Sequence, residues 1–332
     1  MSLTPSPNPL DRSALICGVN GQDGAYLAQL LLGKGYRVWG ASRDALGSSF
    51  GNLKRLGIRE RVRTLSLLPE DFRSVLVALR ASRPDEVYYL AGQSSVGLSF
   101  EQPAETIQSI ALGTLNLLEA CRMVDHPVRL YHAGSGECFG DTGGEPANET
   151  TPFHPRSPYA VAKTSAYWLV NNYREAYSLW ACTGILFNHE SPLRPERFVT
   201  QKIVSTAKRI AQGSGETLEL GRIDIARDWG WAPEYVDAMW RMLQQPEPQD
   251  FVIATGETHT LQEFVAEAFR ALGLDWREHV RQNEQFLRPT DLLIGRADPR
   301  LAAKRLGWKA KSKMNDVIQQ MMDGTQVHAH AT

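Results

Sequence analysis

No segment constrains this chain more than Gly18-Val19-Asn20-Gly21-Gln22-Asp23-Gly24. Its three glycines are evenly spaced, between the short apolar run Ala14-Leu15-Ile16-Cys17 and a stretch of helical length from Ala25 to Leu32. Gly33-Lys34-Gly35 stops that helix, because glycine adopts the conformation that closes one. Tyr36-Arg37-Val38-Trp39-Gly40 then reads as a strand. Strand, turn, helix and strand within about 30 residues make a βαβ unit with a parallel pair. The first glycine permits the tight turn, the second lets backbone approach a pyrophosphate, and the third lets the helix pack closely on the strand. The helix N-terminus adds partial positive charge. The segment therefore reads as a dinucleotide-binding turn running from Gly18 through Asn20, Gly21, Gln22 and Asp23 to Gly24.

The alternation continues along the chain. Helices are predicted from Ser74 to Ala81, Thr106 to Val124 and Tyr159 to Tyr177, with strands from Glu86 to Ala91, Val128 to Ala133 and Thr183 to Phe187. This rhythm predicts an α/β fold with a Rossmann-type doubly wound parallel sheet. It breaks after Asn188, where prolines at 192 and 195, GSGETLELG and IDIARDWGWAP read as irregular. A smaller C-terminal substrate-binding lobe is expected there, which suits two domains in 332 residues. The dinucleotide domain is expected at 12–187 plus about 228–258, the lobe at 188–227 and 259–325, and loose tails at 1–11 and 326–332.

Lys and Arg total 36 against 37 for Asp and Glu, which excludes a general electrostatic grip on nucleic acid or acidic lipid. No apolar run approaches the ~20 residues of a membrane helix. The opening MSLTPSPNPLDR has neither the basic start nor the apolar stretch of a secretory signal. Cys17, Cys121, Cys138 and Cys182 are far apart, so they read as buried thiols of a cytoplasmic protein, with no disulfide framework and no metal site. His328 and His330 read as part of a frayed end. Lys54, Arg55, Arg59, Arg61 and Arg63 read as a solvated face, with a phosphate or subunit contact as the alternative.

Tyr159 and Lys163 stand four apart on a predicted helix and so share a face. A phenol is a poor base near neutrality, but a neighbouring ammonium in a low-dielectric cleft favours the phenolate. Such a pair can take a proton from an alcohol while hydride leaves for nicotinamide. The strand ending at Ala133 delivers Ser135 and Glu137 to the carboxyl edge of the sheet, where open α/β sheets keep their active sites. Ser135 can hydrogen-bond the reacting oxygen. Glu137 is a second acid/base that simple alcohol oxidation does not need. The second strand runs into Arg43-Asp44; Arg43 favours NADP, Asp44 favours NAD, and NADP is the expected cofactor.

The glycine turn, Ser135 and the Tyr159–Lys163 pair resemble the extended short-chain dehydrogenase/reductase superfamily. Longer segments, among them ETTPFHPRSPYAVAK, GILFNHESPLR, RDWGWAPEYVDAMWRML and LRPTD, resemble its GDP-mannose 4,6-dehydratase family from about Ser13 to Trp308. The resemblance implies formation of GDP-4-keto-6-deoxy-mannose, a precursor of GDP-fucose and GDP-rhamnose, by hydride transfer from C4 to C6 through a retained NADP. It implies catalytic roles for Ser135, Glu137, Tyr159 and Lys163, and cofactor contacts from the glycine turn, Arg43, Leu90, Ala91, Gln93, Tyr159 and Lys163. It implies GDP-sugar contacts from Ser94, Asn188, Val199, Lys202, Arg227, Arg288 and Asp291, and a homodimer or homotetramer. His154 and His189 are not assigned as ligands. Several residues depart from the family pattern. Ser135 and Gly136 stand for threonine and serine, implying a freer loop. Asp44 replaces an arginine that contacts cofactor and neighbouring subunit, and Leu68 falls where an aspartate near the adenine is expected, implying weaker cofactor retention. The alternatives are another nucleotide-sugar dehydratase, epimerase or 4-keto reductase, and a catalytically silent NADP-binding regulatory protein.

Overall fold

The computed structural model of the chain describes residues 12–324, so both expected tails, with the two terminal histidines, lie outside the described residues. The strands are β1 (Ser13–Cys17), β2 (Arg37–Ser42), β3 (Arg63–Ser66), β4 (Glu86–Tyr89), β5 (Arg129–Ala133) and β6 (Ala181–Leu186). Short strands β7 (Asn188–Glu190), β8 (Leu218–Leu220), β9 (Ala226–Arg227) and β10 (Trp229–Trp231) precede β11 (Phe251–Ile253), and β12 (His259–Thr260) and β13 (Val280–Gln282) follow. Seven of them form one parallel sheet in the order β11-β6-β5-β4-β1-β2-β3. The order reverses at β1, which puts a crevice between the carboxyl ends of β1 and β4.

The longer helices are α1 (Gln22–Gly33), α2 (Phe72–Ser82), α3 (Gly113–Met123), α4 (Pro158–Tyr177), α5 (Val199–Ala211), α6 (Ala232–Leu243), α7 (Leu261–Arg270), α8 (Arg300–Leu306) and α9 (Met314–Asp323). Every residue of β1 is buried because helices cover both faces of the sheet. Leu27 and Leu31 of α1, Met239 of α6 and Leu306 of α8 pack in one core. Leu79 of α2, Leu118 of α3 and Val170 of α4 pack in another. A separate core joins Ile203 of α5, Phe264 of α7 and Ile318 of α9 with Trp229 and Trp231. The four cysteines are buried and unpaired. Among the described residues no helix is long and apolar enough to cross a membrane.

The basic cluster is a solvated face as expected, with Lys54, Arg55, Arg61 and Arg63 exposed, and Arg63 also opens the edge strand β3, paired through Trp39↔Arg63. The structure corrects the reading of one region. The segments read as irregular after Asn188 hold β8, β9 and β10, whose partners β13, β12 and β7 are mostly distant in sequence. Strands of two or three residues carry no period of their own, so pairing alone defines them.

Candidate active site

The glycine turn follows β1 directly. Gly18 has φ +88°, and an added Cβ would lie 3.0 Å from the backbone of Leu90 and Ala91, so the turn rests on the segment after β4. A Cβ on Gly24 would lie 2.3 Å from the Gly18 carbonyl oxygen. Only a bare backbone lets α1 start this close to the turn. Gly21 caps α1 without a side chain, leaving the first-turn N–H groups without a side-chain acceptor. A turn with glycine at its closest approaches and a helix N-terminus without a side-chain cap fit the diphosphate of a dinucleotide.

Ser157 caps α4 by accepting from the Ala160 N–H, and Pro158 occupies its first position, which sets Tyr159 and Lys163 at the start of the helix. The Lys163 ammonium donates to the Ala133 carbonyl at the end of β5 (2.7 Å) and lies 5.8 Å from the Tyr159 ring centre. Burial lowers the Lys163 pKa to about 8. Burial also raises the Tyr159 phenol well above its usual value, against a hydrogen bond from Ser135 that acts in the opposite direction. Burial thus works against the phenolate, and further positive charge is needed to make Tyr159 a base.

Ser135 caps the short turn Gly136–Phe139 by accepting from the Glu137 N–H. Gly136 does not loosen this loop: an added Cβ would lie 2.9 Å from the Phe187 ring, so the glycine admits that ring against the backbone. Glu137 Oε1 stands 3.7 Å from Arg227 Nε, and the Arg227 guanidinium also lies 3.5 Å from Asp291, which in turn lies 3.6 Å from Arg288. Arg227 is buried and donates to the Leu292 carbonyl, which fixes its position between the two carboxylates.

A cavity of about 920 Å³ runs from Asp23, Ser135, Glu137 and Tyr159 to Lys202 and Arg288. Its wall takes in Lys163, Leu90, Ser94, Asn188, Val199, Arg227 and Asp291, bringing most of the expected residues together. The Lys202 ammonium donates to the Glu219 carbonyl (2.6 Å) and lies 4.2 Å from the Phe286 ring centre. Gln93 folds onto its own loop, donating to the Ser95 carbonyl. Asn20 offers its carbonyl to the Asn52 amide. Arg43 is outside the cavity wall and pairs with Glu105 at 2.8 Å, both about half exposed. Asp44 turns back on its own loop and accepts from the N–H groups of Leu46 and Gly47.

Sequence reasoning missed His189 and Arg194, which line the same cavity. His189 Nε2 meets Asp23 Oδ2 at 2.9 Å, and Arg194 pairs with Glu190 at 2.8 Å. The run FNHESPLR carried a signal, two potential cations and a carboxylate just past a strand end, but not which group each one meets.

The family model described as GDP-mannose 4,6 dehydratase matches residues 15–321. The chain belongs to the GDP-mannose 4,6-dehydratase family. It is 45% identical over 320 residues to GDP-mannose 4,6 dehydratase 1 of Arabidopsis thaliana, covering 93% of this chain and 88% of that protein. Among solved structures, the dTDP-glucose 4,6-dehydratase DesIV of Streptomyces venezuelae, with NAD bound, superposes with a TM-score of 0.84 at 21% identity, covering 94% of this chain and 96% of that one. RMD of Pseudomonas aeruginosa, complexed with NADPH, does so with a TM-score of 0.77 at 23% identity, covering 94% and 98%. These two likenesses reinforce the Rossmann-type fold.

Proposed function

We propose that this member of the family is a hydro-lyase that converts GDP-mannose to GDP-4-keto-6-deoxy-mannose and water, with NADP retained through the cycle. The observation that carries the reading is Glu137, a carboxylate in the same cleft as Ser135, Tyr159 and Lys163. Oxidation of an alcohol needs no such group, whereas elimination of water needs a general base and a general acid. A nicotinamide dinucleotide held by the glycine turn would supply the acceptor for the C4 hydride and its source for C6. Tyr159, with Ser135 at the same oxygen and Lys163 behind it, takes the proton of the C4 hydroxyl. The C4 ketone acidifies the C5 proton, which Glu137 removes, and the same proton leaves with the C6 hydroxyl as water. Reduction at C6 by the same hydride would be matched by a proton to C5, equal to the one Tyr159 took and then releases, so the sugar loses one water and no net redox equivalent.

The glycine turn with Leu90, Ala91 and Gln93 is the cofactor side of this reading, and Ser94, Asn188, Val199, Lys202, Arg227, Arg288 and Asp291 the GDP-sugar side. Arginines suit a diphosphate because each can offer paired donors to it. NADP is favoured over NAD because Arg43 is held only by an exposed ion pair, which contributes little and can yield to a 2′-phosphate. Asp44 is turned away on its own loop. The proposed domains are 12–187 with 228–258, and 188–227 with 259–325. The assembly is read as a homodimer or homotetramer: Ile107, Val161, Trp168 and Tyr177 expose apolar surface on α4 and the helix before α3. The compartment is read as cytoplasmic from the four unpaired thiols.

Incubation of the purified protein with GDP-mannose and no added NADPH tests the reading by mass spectrometry. The expected product is one water lighter, with no net NADPH consumption. Unchanged GDP-mannose alongside turnover of another GDP-sugar overturns the substrate assignment.

A further inference from the structure

Segment 292–298 leaves the cavity wall just after Asp291 and runs between two elements from different parts of the site. On one side it pairs with β9. The Ala226 N–H donates to the Leu293 carbonyl (2.7 Å), the Gly295 N–H to the Ala226 carbonyl (2.9 Å), and the Arg227 guanidinium to the Leu292 carbonyl (2.9 Å). On the other side it meets the loop that follows the Glu137 turn. There the Asp141 carboxylate takes two successive N–H groups that the pairing with β9 leaves over. Oδ2 accepts from Leu293 (2.9 Å) and Oδ1 from Ile294 (3.3 Å). The Thr142 N–H donates to the Ile294 carbonyl (3.0 Å), and its hydroxyl donates to the same carbonyl (3.2 Å) and accepts from the Arg296 N–H (2.9 Å).

The Glu137 turn has its own support. Ser135 accepts from the Glu137 N–H, the Cys138 carbonyl accepts from the His154 N–H (2.9 Å), and buried Phe139 packs on the Phe153 and Phe187 rings. Arg288 and Asp291 stand on a chain that enters from the exposed Phe286 and Leu287. That chain is tied to the opposite wall at Thr290, whose hydroxyl donates to the Arg156 carbonyl, and then by Asp141. Asp141 is not in the cavity wall, so it acts through the segment it holds. We propose that Asp141 is a positioning residue for the substrate, fixing segment 292–298 so that Arg227, Arg288 and Asp291 face a GDP-sugar at a set distance from Glu137. The inference rests on the reading that those three residues hold a GDP-sugar. Its effect is selective: loss of the Asp141 carboxylate loosens the hold on the nucleotide-sugar and leaves the cofactor side and the proton-transfer groups in place.

Calorimetric titration of the purified full-length protein with GDP, NADPH binding followed by fluorescence, and steady-state turnover of GDP-mannose test this together. Asp141→Ala is expected to weaken GDP binding and raise KM by about fivefold to tenfold, the scale of a hydrogen bond to a charged acceptor, with kcat and NADPH affinity within about twofold of wild type. Asp141→Asn keeps the shape and one acceptor oxygen, and is expected to fall between Asp141→Ala and wild type. A merely structural role would lower the melting temperature and weaken GDP and NADPH binding together, or lower kcat without raising KM. Either pattern, or wild-type GDP affinity in Asp141→Ala, overturns the proposal. If Asp141→Ala does not fold, Asp141→Asn decides: weaker GDP binding with NADPH binding intact upholds the proposal, and unchanged GDP binding overturns it. Wild type that binds no GDP overturns the nucleotide-sugar reading and this proposal with it. Wild type that binds GDP but leaves GDP-mannose unchanged overturns only the substrate assignment, and the GDP titrations still decide for or against Asp141.

Discussion

Lys163 shows what a buried ammonium costs the fold. Burial lowers its pKa from 10.5 to about 8, so the native state disfavours the ammonium relative to the unfolded chain. The penalty is present in full below pH 8 and is relieved as pH rises from about 8 toward 10.5. Lys163→Met is therefore expected to stabilise the ligand-free protein at pH 7 by about 1–3 kcal/mol, less than the full penalty because the hydrogen bond to Ala133 is lost, while activity collapses. Urea unfolding with a turnover assay checks both; a destabilised variant would contradict it. Glu137→Gln is expected to lower dehydration by about 10²–10⁴-fold with NADPH affinity unchanged, since only proton transfer is removed. Product mass and a binding titration separate the two effects. Tyr159, Lys163, Ser135 and Glu137 were legible because sequence spacing puts them on one helix and one strand end. His189 was not, because its meaning lies in Asp23, far away along the chain and joined to it only by tertiary contact.

Among the elements, the turn into α1 is the least forgiving. The Gly24 position has the Gly18 carbonyl oxygen and the Val19 Cα at 2.3 and 2.7 Å from an added Cβ, and backbone cannot move aside as a side-chain tip can. Gly24→Ala is expected to cost about 1–3 kcal/mol through overpacking and to weaken dinucleotide binding. Gly33→Ala, where an added Cβ meets nothing within 4 Å, serves as the control for denaturant midpoint and NADPH affinity. Equal midpoints for the two variants would refute the packing argument. The βα alternation through β6 was legible because buried parallel strands are short apolar runs bounded by turns, as in β1 and β6. β3 was not, because its residues Arg63–Ser66 are only partly covered at the sheet edge and carry no apolar run.

For the molecule as a whole, the exposed apolar residues of α4 bear on assembly. Trp168 is 60% exposed on α4, and Val161 shares that helix. Apolar surface of this kind marks association when it is contiguous. Trp168→Glu is expected to shift the protein toward monomer, read by analytical ultracentrifugation at micromolar concentration. An unchanged sedimentation coefficient would place the subunit contact elsewhere. Catalysis by the monomer is the accompanying measurement, because Tyr159 lies on the same helix.

The core beside α1 is completed from the far end of the sequence: Met239, Phe251, Leu306 and Trp308 pack there with Leu27 and Leu31. During synthesis, then, the first six sheet strands leave the ribosome with one flank uncovered until those later residues emerge. At ordinary elongation rates that interval is on the order of ten seconds, long enough for nascent apolar surface to recruit a chaperone. A truncated transcript ending near β6 would accordingly yield an aggregating chain and not a miniature dinucleotide-binding domain.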